Sequence, residues 1–167
     1  MLIFMQKGSS ALVLVYFLVL AWYCLHVLVT LPKKLPLMTN VLLYMLLSII
    51  DINRMTLFSV SLHFYHFSKQ IPEFLSVVLY RDFIYCFTLL TFANVYLTAS
   101  RFLTKVLISL YSFLFLLMCC FILKWTGSII TLTWNAYYDS ITLLIMLVVT
   151  YGLGRWLLHF TRKEKKA

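Results

Sequence analysis

The chain has 167 residues, 63% of them hydrophobic and 11% charged, with a net charge of +9. Soluble domains average about 45–50% apolar and about 25% charged residues, so a water-soluble globule is excluded. The 14 Lys and Arg residues sit at the ends of apolar runs rather than in a patch, which argues against nucleic acid and for orientation by cytoplasmic positive charge.

Several apolar runs approach 20 residues, the length a helix needs to cross a bilayer core. The expectation is an all-α, polytopic transmembrane helix bundle of about five spans, forming a single integral membrane domain over residues 1–167. The first span is expected over about 10–31. Its apolar run is too long for the core of a signal peptide, and no small-residue cleavage site follows, so it reads as a retained span. "LPKKLP" then breaks the helix, because two prolines and two lysines cannot continue a buried one.

The second span is expected over 37–57. No Pro or Gly follows until Pro72, so the spacing predicts one continuous helix from Leu37 to about Gln70. Its outer part would emerge from the membrane as an amphipathic segment. Asn53, Thr56, Ser59, His63, His66 and Gln70 step by three and four along it, one polar stripe on a helix. "IPEF" is the next breaker, and the third span is expected over 77–98. "SRFLTK" reads as a basic turn before the fourth span, over 106–125. An aromatic-rich connection, "TGSIITLTWNAYYD", leads to the fifth span, over 140–160, and residues 161–167 read as a solvated basic tail.

Lys33, Lys34, Arg101, Lys105, Arg162, Lys163, Lys165 and Lys166 fall on one side of this arrangement. Lys7, Arg54, Lys69, Arg81 and Lys124 fall on the other. The side with eight cations is expected in the cytoplasm, which places the N-terminus outside and the C-terminus inside.

Asp51 and Arg54 lie within the second apolar run, at a spacing that puts them on one helix face. A lone charge in a bilayer is costly, so each needs a partner or a function. Arg81 and Asp82, entering from the same side on the third span, are the candidate partners. The third span carries its own stripe of Arg81, Tyr85, Thr88, Thr91, Asn94 and Thr98. Asp51, Asn53, Arg54, Arg81, Asp82 and Asn94 therefore form the candidate ligand or ion site, between the second and third helices. The alternatives are a paired set that fixes helix register, or a kinked loop open to water. His63 and His66 could bind a metal or sense pH, but two ligands fall short of the three or four that zinc takes. No catalytic residues and no cofactor are expected.

Four cysteines inside apolar runs, without metal spacing, read as small buried hydrophobes. Asn40 and Tyr44, and Asn135 and Asp139, stand four apart and could bond neighbours. Gly152 and Gly154 permit close helix packing. Trp125, Trp134, Tyr137 and Tyr138 fit an aromatic belt. His26 and His159 are isolated and read as packed or interfacial. No GxSxG, HExxH or P-loop pattern occurs.

A short chain, about five spans, "LPKKLP" after the first span, a polar-interrupted second span and a basic tail together resemble the uncharacterised small multi-pass membrane proteins of Bacillus-type spore-forming bacteria. That resemblance implies the fold class and a bacterial plasma-membrane location, and no activity. The tryptophan-rich sensory proteins have a similar length and span number, but their Pro- and Trp-rich loop motifs are missing here.

Three functions follow as expectations. The first is a non-enzymatic accessory or scaffold subunit, embedded in the lipid bilayer and acting through helix contacts with itself or a larger membrane complex. The second is a small ion or solute carrier using the polar intramembrane residues. The third is an intramembrane metal-dependent enzyme using His63, His66 and an acid.

Overall fold

The computed structural model describes the backbone of residues 2–31, 35–131 and 136–164, and the side chains of residues 11–31, 35–130 and 136–161. In chain order the helices are α1 (Leu2–Thr30), α2 (Leu37–Thr56), α3 (Ile71–Leu79), α4 (Cys86–Thr98), α5 (Phe102–Trp125) and α6 (Ala136–Glu164). Two wider π-helical turns extend them: Leu57–Ser61 after α2, and Tyr80–Tyr85, which joins α3 to α4. Two short strands, β1 (Tyr65–Phe67) and β2 (Ile129–Thr131), complete the described structure.

Five helical stretches are long and apolar enough to cross a membrane: Ala11–Thr30, Leu37–Ser61, Ile71–Thr98, Phe102–Trp125 and Ala136–Thr161. This is the make-up of a multi-pass membrane protein. The third stretch is the axis of the bundle, since 56% of its most apolar part is buried against 17–33% in the other four. Its buried residues meet Phe17, Ala21 and Cys24 of α1, Leu43 and Leu47 of α2, Leu116 and Leu123 of α5, and Leu143 and Leu147 of α6 in one core. Between membrane helices such cores hold by close packing rather than by release of water. Gly154 marks one close approach of this kind. A Cβ at this position would come within 2.8 Å of Leu97 Cδ1 and 3.9 Å of Ala93 Cβ, so its absence lets α6 lie against α4. Gly152 has open space around it, so of the two glycines only Gly154 works in packing.

The continuous helix expected from Leu37 to Gln70 does not form. The helix widens at Leu57, where the N–H of Leu62 bonds the carbonyl of Leu57, five residues back. His63 then takes a positive φ of 50° and the chain turns into β1. No Pro or Gly is needed for this break. Residues 59–67, "SVSLHFYHF", are poor in strong helix formers and rich in aromatic side chains. The six-residue polar stripe therefore does not exist as a helix face beyond Ser61. β1 pairs antiparallel with β2, with Tyr65 opposite Thr131, His66 opposite Ile130 and Phe67 opposite Ile129. The N–H of Ser68 also bonds the carbonyl of Ser128 at 3.2 Å. This ribbon clips the connection after the second stretch to the one after the fourth.

Other boundaries move outward. "IPEF" starts a helix instead of breaking one, because Pro72 occupies the first turn, where its missing N–H costs nothing. "SRFLTK" turns only to Arg101 before α5 begins at Phe102. α6 runs through the expected tail to Glu164. Lys33, Lys34, Trp134, Asn135, Lys165 and Lys166 lie outside the described residues, as do the side chains of Lys7, Arg162 and Lys163.

Candidate functional site

Three ion pairs lie toward the end of the bundle that the ribbon covers. Asp51, on the last turns of α2, is 1% exposed, and its Oδ1 accepts two hydrogen bonds from Arg54, from Nε at 2.9 Å and Nη2 at 2.5 Å. The same guanidinium lies 5.2 Å from the ring centre of Tyr85, a cation–π contact. Asp51 Oδ2 and the Tyr85 hydroxyl are buried without a hydrogen-bond partner among the described residues.

Arg81 and Asp82 pair with each other, with Arg81 Nε donating to Oδ1 at 2.7 Å and Nη2 to Oδ2 at 3.0 Å. Both are more than a quarter exposed, so this pair resembles the surface ion pairs that contribute about 0–1 kcal/mol. The expected four-residue cluster is thus built as two local pairs. The π-turn that carries Arg81 and Asp82 disturbs the regular backbone ladder, and side chains use its carbonyls. The Tyr44 hydroxyl donates to Asp82 O at 3.2 Å, and Cys86 Sγ donates to Arg81 O at 3.6 Å. Turns of this kind are frequent at functional sites.

A third pair was not foreseen. Lys124, at the end of α5, donates from Nζ to Oδ2 of Asp139, at the start of α6. With Arg54, Tyr65, Tyr80 and Cys120 they line a cavity of about 30 Å³ under the ribbon. Tyr80 and Cys120 lie within 2.9 Å of each other across it, hydroxyl to thiol. Burial pushes the Tyr65 phenol up to about 12, so it stays a neutral hydroxyl at physiological pH. Beside Arg54, only Lys124 and Asp139 of these residues carried a sequence signal. A Lys and an Asp that bound one connection between apolar runs are candidates to close it.

Two predicted members stand elsewhere. Asn53 is exposed and donates back to Ile49 O of its own helix at 2.8 Å. Asn94 is fully buried at the opposite end of the bundle. Its Oδ1 accepts from the Leu35 N–H at 2.8 Å, and its Nδ2 donates to Asn40 Oδ1 at 2.8 Å and to Leu90 O at 2.8 Å. The distance was legible, since Asn94 follows Asp82 by twelve residues, about 18 Å of helix. Thr88 and Thr91 of the predicted stripe turn toward α1, where Thr88 contacts Cys24 Sγ at 3.8 Å. The rings of His63 and His66 are 6.1 Å apart. Among the described residues no group of three His, Cys, Asp or Glu side chains could hold a metal ion.

No protein-family model, no curated protein and no solved structure matches this chain.

Proposed function

We propose that the protein is a non-enzymatic integral membrane protein of a bacterial plasma membrane, an accessory or scaffold subunit that acts through helix contacts. One observation carries this reading. Arg54, Arg81 and Lys124 each meet a carboxylate of this chain, and the cavity that Arg54 and Lys124 line is about 30 Å³. That is room for one or two waters, not for a solute. The polar groups thus serve mainly to hold helices in place, and the outward apolar faces are left for partners. α1 offers one such face, with Leu12, Val15, Leu18, Val19 and Trp22 exposed. In this reading the N-terminus lies outside and the C-terminus in the cytoplasm.

Photo-crosslinkers at Val19 and Trp22 in native membranes test the proposal. A discrete crosslinked polypeptide, either a second copy or another subunit, is the expected product. Crosslinks to lipid alone refute it.

A second reading is favoured by Asp51 Oδ2 and the Tyr85 hydroxyl, both buried and without a hydrogen-bond partner among the described residues. A carboxylate oxygen of this kind could pass a proton or a small cation between the second and third spans. Proteoliposomes loaded with a pH-sensitive dye separate the two. The scaffold reading predicts fluxes equal to those of empty vesicles. A flux that vanishes in Asp51→Asn replaces it with the carrier reading.

A further inference from the structure

At the end of the bundle opposite the ribbon, two hollows adjoin. One is a polar cavity of about 360 Å³ between Tyr96, Lys105, Tyr151, Arg155 and His159. The other is an apolar groove of about 340 Å³ between α5 and α6, floored by Phe113, Leu144 and Leu147. Tyr96 and Lys105 line both, so a basic head and a greasy tail lie side by side along one trough-like face.

The head is built rather than incidental. Lys105 Nζ lies 5.6 Å from the centre of the Tyr96 ring. Tyr96 meets Tyr151 edge to face at 5.3 Å, and Arg155 Nη1 donates to the Tyr151 hydroxyl at 3.2 Å. The two tyrosines thus hold a lysine and an arginine at one mouth. Neither cation has a carboxylate partner among the described residues, whereas Arg54, Arg81 and Lys124 all do. No Asp or Glu lines either hollow. The depth also fits. Lys105 stands in the first turn of α5, and Arg155 and His159 lie near the end of the fifth apolar stretch. Trp156 and Phe160 pack together beside them at 4.9 Å, as aromatic rings do at headgroup level.

We propose that this trough binds an anionic phospholipid of the surrounding leaflet. Its phosphodiester would sit between Lys105 and Arg155, and one acyl chain would lie in the groove between α5 and α6. Basic pockets between membrane helices recognise anionic headgroups in this manner. A choline lipid carries the same phosphate, but its quaternary ammonium would meet Lys105 and Arg155 with no carboxylate beside them. Selectivity for a lipid with an uncharged headgroup alcohol follows. The inference requires that the five stretches cross a bilayer, and it does not depend on the scaffold reading.

Native mass spectrometry of the full chain in neutral detergent provides the test, with phosphatidylglycerol, phosphatidylcholine or inorganic phosphate added at equal concentration. Phosphatidylglycerol should be retained as a one-to-one adduct, several-fold above phosphatidylcholine, and inorganic phosphate should not be retained. Lys105→Gln and Arg155→Gln should each weaken the adduct about fivefold. Lys69→Gln, which removes a charge outside the trough, should leave it unchanged. Ser109→Phe, which fills the groove and keeps both cations, should weaken phosphatidylglycerol binding as well. Equal retention of the two lipids overturns the proposal, as does equal behaviour of the Arg155 and Lys69 variants. Retention of inorganic phosphate in place of lipid would make the site one for a free anion. The lipid comparison on the unaltered chain decides the matter even if a variant fails to fold.

Discussion

Removing one member of the Asp51–Arg54 pair should cost far more than removing both. Asp51 is 1% exposed and the Arg54 side chain 18% exposed, so neither ion can turn fully to water. In Asp51→Leu the guanidinium loses two hydrogen bonds and keeps only the Tyr85 face, a contact worth about 0.5–2 kcal/mol. In Arg54→Met the carboxylate is left buried and uncompensated. Breaking a buried pair in this way costs about 3–5 kcal/mol. The double variant, with two apolar side chains of similar bulk, leaves no orphaned charge and should fall within about 1 kcal/mol of the parent or above it. Reversible unfolding in mixed micelles, followed by circular dichroism as the denaturing detergent fraction rises, measures all four proteins. The expected coupling in the double-mutant cycle is about 3 kcal/mol or more. Additive losses would refute the reasoning, because they would mean that the two ions do not depend on each other.

Other outcomes follow from the same geometry. Asn94→Leu removes the acceptor for the Leu35 N–H and both bonds to Asn40 and Leu90; it should cost about 1–3 kcal/mol in the same assay, and Thr98→Val much less. Gly154→Val should cost about 1–3 kcal/mol by overpacking against Leu97, while Gly152→Val should not disturb helix packing. The Tyr65 phenol is held neutral to about 12 in the folded chain, against an ordinary value near 10. Its contribution is therefore fully present below pH 10 and declines by about 1.4 kcal/mol per pH unit between 10 and 12, as the unfolded chain ionises first. Tyr65→Phe should flatten that part of the profile relative to the parent.

The spans were legible because composition and length decide them. Each observed stretch contains most of the run expected for it, and the errors lie at starts such as Ile71 and Phe102, where Pro72 or an apolar first residue hid the true helix beginning. The ribbon was not legible. Its strands are three residues each, and Tyr65 pairs with a residue sixty-six positions away, so no local pattern announces it. The site divides in the same way. Asp51 with Arg54 follows from a spacing of three on one helix. The approach of Tyr65, Tyr80 and Cys120 to Lys124 and Asp139 depends on the ribbon and on the π-turn at Tyr80–Tyr85, neither of which has a periodicity to read.

The ion pairs also bear on how such a chain can enter a membrane from its N-terminal end. Asp51 and Arg54 are three residues apart, Arg81 and Asp82 are adjacent, and Lys124 and Asp139 are separated by fifteen residues across one connection. Every described pair is therefore complete within a single helix, or between two that follow directly in synthesis. The second helix can be neutralised as soon as its own last turns form, before the third exists. The ribbon comes late, because β2 is made only after the fourth helix. Charge compensation thus runs ahead of assembly, and the final fold closes over groups that already have their partners.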